Sequence, residues 1–209
     1  MKRIGITLRV EKVLDYNESR DCIDQRWVEF IYQLGFIPVL LPNISVEKVS
    51  EMISSSNLNG ILLSGGNSLS SIGDDENGVA IKRDEFEFKL LKEAINLKLP
   101  VVGICRGMQL INQYFGGKIT KVSNHIAVKH SIKTISNQFQ FPEKVNSFHQ
   151  WGISTKDLAC KLESLAVDNS GYIEALRHKE KNILGLMWHP ERMSPFDILD
   201  LSIIKRFYQ

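Results

Sequence analysis

The sequence predicts an α/β fold: an open, mostly parallel sheet flanked by helices, with a small antiparallel β extension. Three observations carry this expectation. Short apolar runs alternate with helical patterns from residue 4 to residue 115, and strands separated by helices cross over and pair in parallel. The runs at 60–63 and 101–104 are apolar throughout, as in strands covered on both faces. Beyond residue 118 the pattern becomes short, polar and β-like, without a strong helix.

Each element has its own signal. Residues 4–8 form an apolar run before polar residues, a first strand. Residues 21–34 carry Ile23, Trp27, Phe30, Ile31 and Leu34 at helical spacing, and Gly35 ends that helix as a left-handed cap. Residues 37–41 are a second strand closed by Pro42, and 46–56 a helix. The third strand, 60–63, runs into the turn-rich Ser64-Gly65-Gly66-Asn67-Ser68. Residues 84–98 form an amphipathic helix through Phe86, Leu90, Leu91, Ala94, Ile95 and Leu97, stopped by Pro100. The fourth strand, 101–104, precedes a helix over 106–115 that ends in Gly116-Gly117. Residues 173–177 and 183–188 flank the turn residues 179–182 as a hairpin. A last helix spans 195–208 with Phe196, Leu199, Ile203, Ile204 and Phe207 inward. No linker, repeat or low-complexity stretch divides the 209 residues, so a single domain over 1–209 is expected.

Composition excludes several classes. Hydrophobic residues make up 43% and charged residues 24%, a globular balance that leaves no room for a disordered or fibrous chain. No apolar run approaches the ~18 residues of a membrane span, and the start of the chain reads as a strand, not a secretory signal. The net charge of +2 is mild and scattered, which argues against nucleic acid as partner. Cys22, Cys105 and Cys160 are odd in number and widely spaced, giving neither a disulfide framework nor a zinc pattern. A reducing, cytoplasmic home follows as the expectation.

The most informative segment is P-V-V-G-I-C-R-G-M-Q-L-I-N-Q-Y-F-G-G, residues 100–117. An apolar strand runs into Cys105, a helix starts at once, and Gly103 and Gly107 flank the cysteine. This is the layout of a nucleophile elbow with cysteine in place of serine. Such a turn puts the sulfur at the carboxyl edge of the sheet, where open α/β folds bind ligands. The unpaired N–H groups and dipole of the following helix favour the thiolate, the reactive form. The competing reading of a lone G-x-C-x-G is a buried structural cysteine.

Of the five histidines, His125, His130, His149 and His178 have no carboxylate partner evident in sequence, whereas His189 does. It follows an apolar strand and stands in Trp188-His189-Pro190-Glu191. Glu191, two positions on across a stiff proline, can fix the imidazole as the third member of a triad does. A surface His-Pro turn is the alternative.

Together these residues resemble the class I glutamine amidotransferase superfamily, marked by G-x-C-x-G-x-Q and a later H-P-E. Here they are Gly103, Cys105, Gly107 and Gln109, then His189, Pro190 and Glu191. Gly65-Gly66 looks like the family's oxyanion loop. Further motifs resemble its γ-glutamyl hydrolase branch. R-D-x-F-E is matched by Arg83, Asp84, Phe86 and Glu87, and the arginine after the nucleophile by Arg106. V-N-S-x-H is matched by Val145, Asn146, Ser147 and His149, although Gln150 follows out of register. I-E-A is matched by Ile173-Glu174-Ala175, and G-x-x-W-H-P-E by Gly185 through Glu191. The likeness is weakest at 9–22 and 118–145, and residues 67–80 are idiosyncratic, with the lid question open there.

The resemblance implies a flavodoxin-like fold and hydrolysis of a γ-glutamyl amide. Cys105 would be the nucleophile, His189 the general base, Glu191 its orienting partner, and the backbone N–H groups of Gly66 and Arg106 the oxyanion hole. Gln109, one turn from Cys105, would bond the glutamyl moiety, with Ser147 and His149 at its α-amino or carboxylate end. The Arg106 side chain would contact acid groups or anchor a loop by salt bridges, and Arg83 and Asp84 would make a structural pair. The partner implied is a small γ-glutamyl substrate, releasing an amine, ammonia or a phosphoramidate, with no cofactor and no metal. Monomer and homodimer are both compatible with the sequence. Two other functions compete: a glutaminase subunit feeding ammonia to a separate synthase, and a binding module without turnover.

Overall fold

The computed structural model describes residues 1–72 and 80–209. In chain order they form β1 (Arg3–Thr7), β2 (Arg9–Val13), β3 (Glu18–Cys22), α1 (Arg26–Gln33), β4 (Ile37–Leu41), α2 (Val49–Ser56), β5 (Gly60–Leu63), α3 (Ile81–Asn96), β6 (Val101–Ile104) and α4 (Arg106–Tyr114). Then follow β7 (Thr120–Lys121), β8 (Ile126–Thr134), β9 (Lys144–Phe148), β10 (Trp151–Gly152), β11 (Leu162–Asp168), β12 (Ile173–His178), β13 (Ile183–Leu186) and α5 (Ile198–Tyr208).

A nine-stranded sheet in the order β4-β1-β5-β6-β13-β12-β11-β8-β9 organises the molecule. Strands β4, β1, β5, β6 and β13 run parallel. From β12 to β9 the pairing is antiparallel and forms a wing. Two-stranded sheets β2–β3 and β7–β10 are added. The predicted α/β class with its antiparallel extension is the observed one.

The central strands are apolar throughout because both faces are covered. Ile61 and Leu63 of β5 pack into a core with α2, α3 and α4, whereas Leu62 faces a second core with α1 and α5. Val101 and Val102 of β6 divide in the same way. Such side-to-side alternation is the geometry of an extended chain, and here it feeds two cores at once.

The ends of several elements differ from expectation. The helix predicted from residue 21 begins at Arg26, because Asp21 and Cys22 are committed to a ladder with Val10 and Arg9. The hairpin β2–β3 had no strand signal in the sequence. The helix predicted from residue 195 begins at Ile198, where Asp197 accepts a capping bond from the Leu199 N–H at 2.8 Å. Its inner face is Asp200, Ile204 and Tyr208, with Leu199 instead beside a surface depression. Within the idiosyncratic segment 67–80, where a lid was an open question, residues 73–79 lie outside the described residues. No helix among the described residues is long and apolar enough to cross a membrane.

Candidate active site

Cys105 stands between the last residue of β6 and the first of α4, with φ +51° and ψ −102°. Few L-residues adopt this conformation, and it persists only where neighbours enforce it. The Cys105 N–H donates to Leu186 O at 2.7 Å. A Cβ at position 107 would come within 2.2 Å of Leu63 O, and one at 103 within 2.6 Å of the Gly107 carbonyl carbon. The two flanking glycines are therefore steric requirements of the elbow. Cys105 itself is 7% exposed.

The base arrives from the neighbouring strand. β13 pairs with β6 in parallel, with Leu186 opposite Ile104, so both chains reach the carboxyl edge together. His189 leaves β13 there, and its ring borders the same cavity as Cys105, close enough for the two side chains to interact electrostatically. Its Nδ1 lies 2.7 Å from Glu191 Oε1. The His189 backbone is clamped by Asn146, which accepts from its N–H at 2.8 Å and donates to its carbonyl at 2.7 Å. Burial pushes the His189 pKa down, but the charges of Glu191 and Cys105 and their hydrogen bonds outweigh it and raise it to about 9. Around neutral pH the ring is thus an imidazolium.

The Gly65-Gly66 loop is held from below by Arg83. Its guanidinium donates to Ser64 O at 2.8 Å, Gly65 O at 3.1 Å and Gly66 O at 2.6 Å. Because a trans peptide points its N–H opposite to its C=O, fixing Gly65 O toward Arg83 turns the Gly66 N–H away from it. Arg83 also donates to Glu87 at 2.9 Å, and Arg106 pairs with Glu87 and Asp84. Burial and the nearby Arg106 lower Arg83 to about 10, which leaves it cationic. Burial opposes the Glu87 charge, yet the two guanidinium groups hold its pKa below the ordinary value. The expected Arg83–Asp84 pair is therefore replaced by Arg83–Glu87 and Asp84–Arg106, and the Arg106 side chain anchors structure.

A cavity of about 280 Å³ opens beside the sulfur, lined among others by Gly66, Cys105, Arg106, Gln109, His149 and His189. Gln109 faces it while donating to Trp151 O at 2.8 Å. His149 also borders it. Its burial, reinforced by the neighbouring His125, lowers its pKa to about 3 although the Trp151 carbonyl opposes this, so the ring is neutral. Ser147 departs from expectation: its hydroxyl is fully buried and donates to His125 O at 2.7 Å, so it supports the wall. A larger depression of about 750 Å³ lies by the 179–182 turn. That turn precedes β13 and so belongs to the opposite edge of the sheet, away from Cys105.

The remaining histidines meet carboxylates only through the fold. His125 lies 3.0 Å from Asp168, His130 3.3 Å and His149 3.8 Å from Glu174, so three of the four have carboxylate neighbours. Sequence reasoning also assigned no positioning role to Asn146. Its only signal was the V-N-S-x-H motif.

Residues 3–191 match the Peptidase C26 family model. The chain belongs to the Peptidase C26 family. This class I glutamine amidotransferase-like member is 33% identical over 209 residues to gamma-glutamyl-CDP-amidate hydrolase of Campylobacter jejuni subsp. jejuni, covering 98% of this chain and 96% of that protein. It is 30% identical over 155 residues to the glutamine-hydrolyzing GMP synthase subunit of Methanococcus maripaludis, covering 73% of each. A solved structure attributed to a GMP synthase subunit of Thermoplasma acidophilum shares the fold of this Peptidase C26 member, with a TM-score of 0.74 at 19% identity over 100% of this chain and 92% of the other.

Proposed function

We propose that the protein hydrolyses a γ-glutamyl amide through a γ-glutamyl thioester on Cys105. The observation that carries this reading is the His189 ring, set beside Cys105 at the rim of a cavity and hydrogen-bonded on its far side to Glu191. The Cys105 sulfur attacks the γ-carbonyl as thiolate, with its proton held by His189. The Gly66 and Arg106 N–H groups donate to the developing oxyanion; Arg106 is the first helical residue, so its N–H has no partner within the helix. Donors of this kind contribute ~3–4 kcal/mol each. His189 gives its proton to the leaving nitrogen as the C–N bond breaks. Water then attacks the thioester, His189 takes its proton, the C–S bond breaks, and glutamate leaves with the thiolate restored. Gln109 and His149 bound the glutamyl end.

The Campylobacter relative's name suggests a phosphoramidate as leaving group, and Arg192 at the cavity edge, stacked 4.5 Å above Phe148, offers a cation for its phosphate. The GMP synthase relatives support a second reading, a glutaminase that supplies ammonia to a synthase. One experiment separates them: purified protein is offered glutamine, γ-glutamyl-aminobutyrate and nucleotide-linked γ-glutamyl phosphoramidates, and glutamate release is followed. The hydrolase reading expects turnover of a substituted γ-glutamyl amide by the isolated chain. Hydrolysis of glutamine alone, and only with a synthase added, would replace it with the second.

A further inference from the structure

Behind the wall that carries His149 lies a buried cluster that the proposed chemistry does not use. His125 precedes β8, His130 lies within it, Asp168 ends β11 and Glu174 lies in β12. These are three adjacent strands of the wing. One ligand atom from each of the four residues lies within 4.8 Å of the others. Glu174 is fully buried, and neither of its carboxylate oxygens has a hydrogen-bond partner; the same holds for Nε2 of His130 and of His149. Buried polar atoms in folded proteins are almost always satisfied; here the nearest contact is His130 Nε2 to Glu174 Oε2 at 3.3 Å, and the converging atoms leave a site that a cation would satisfy.

The tautomers sharpen the point. His125 Nδ1 is 2.7 Å from Ser123 O and His149 Nδ1 is 2.9 Å from Trp151 O. A carbonyl only accepts, so these Nδ1 atoms carry the protons, and in a neutral ring each Nε2 presents a lone pair. His125 Nε2 lies 3.0 Å from Asp168 Oδ2, within hydrogen-bond distance, and His149 Nε2 lies 3.8 Å from Glu174 Oε1. His125, with its outer ring nitrogen on a backbone carbonyl, is oriented as metal-ligating imidazoles usually are.

We propose that His125, His130, Asp168 and Glu174 bind one divalent cation of the zinc class. Two nitrogens and two oxygens suit zinc, and ligand distances of ~2.0–2.2 Å require the four groups to close by about 1 Å. His149 stands between this site and the Cys105 cavity, so the ion would stiffen the cavity wall and tie β8, β11 and β12 together.

The test uses the Cys105→Ala protein, which removes the active-site thiol as a competing zinc ligand and makes the result independent of the hydrolase reading. After chelator treatment and dialysis, zinc is titrated, and bound metal and Tm are measured. We expect one equivalent bound and a Tm rise of about 5–10 °C at a hundredfold excess over Kd. Added His130→Ala, and separately Glu174→Gln, should abolish both responses while the chelated proteins keep the parent's circular dichroism. Glu174→Gln preserves side-chain shape should His130→Ala fail to fold. Absence of stoichiometric zinc, zinc retained in the folded variants, or magnesium bound as tightly as zinc would overturn the proposal.

Discussion

Cys105 is held in a backbone conformation that few residues other than glycine adopt, and its neighbours at 103 and 107 have no room for a side chain. The strain is a property of the turn, so the side chain can be changed without disturbing it. Cys105→Ala should therefore reduce hydrolysis by about 10⁴-fold or more with Tm within a few degrees of the parent; steady-state rates and a melting curve check both. His189 predicts a pH response. Its folded pKa of about 9 exceeds the ordinary 6.5, so its contribution to stability is complete below 6.5 and fades as pH rises through about 9. The imidazolium is lost over the same upper range, and kcat/KM should fall above pH about 9. Glu191→Gln removes the anion that raises the pKa, so the alkaline limb should move to lower pH while the rate drops about 10²–10⁴-fold. A limb that stays in place would show that Glu191 does not set the protonation of His189.

Helix α3 works as a support for the loop above it. Arg83, Asp84 and Glu87 share its buried face and hold the carbonyls of 64–66 and the Arg106 side chain. Arg83→Met leaves three carbonyls without their donor and Glu87 with Arg106 as its remaining guanidinium partner, and should destabilise the fold by about 3–5 kcal/mol, read by chemical denaturation. Strands β4, β5 and β6 were legible in the sequence to the residue, since each is an apolar run between turn residues or prolines. The hairpin β2–β3 was not, because most of its side chains are polar and exposed. It is held by tertiary bonds, Asn67 to the Val10 backbone and Asn43 to Asp21. The histidine cluster was hidden for another reason. His125 and His130 are five apart, which in a regular strand means opposite faces. Ala127, at φ +54°, sits at a register shift that restores a common face. The elbow and the H-P-E motif, by contrast, were legible because their chemistry is written in adjacent residues, although their meeting depends on strand order.

At the scale of the whole molecule, α5 closes one face over a buried carboxyl group. Asp200 accepts from Trp188 Nε1 at 3.1 Å. Burial raises its pKa to about 7, helped by Asp197 and Glu191 and opposed by the Trp188 bond. Between pH 3.8 and about 7 the folded protein retains a proton that the unfolded chain has lost, so stability from this group declines as pH rises. Asp200→Asn keeps an acceptor for Trp188 and removes that decline, so its Tm relative to the parent should be higher at pH 8 than at pH 5. The parallel pairing of β6 with β13 has another consequence. The nucleophile and its base are held together by a ladder between strands, and the long stretch of chain that separates them acts on the base through the Asn146 clamp, not through its covalent continuity. A protease nick at the exposed Asn137-Gln138 bond would leave two fragments still sharing that ladder, and the cleaved protein should remain a working whole until denaturant parts them.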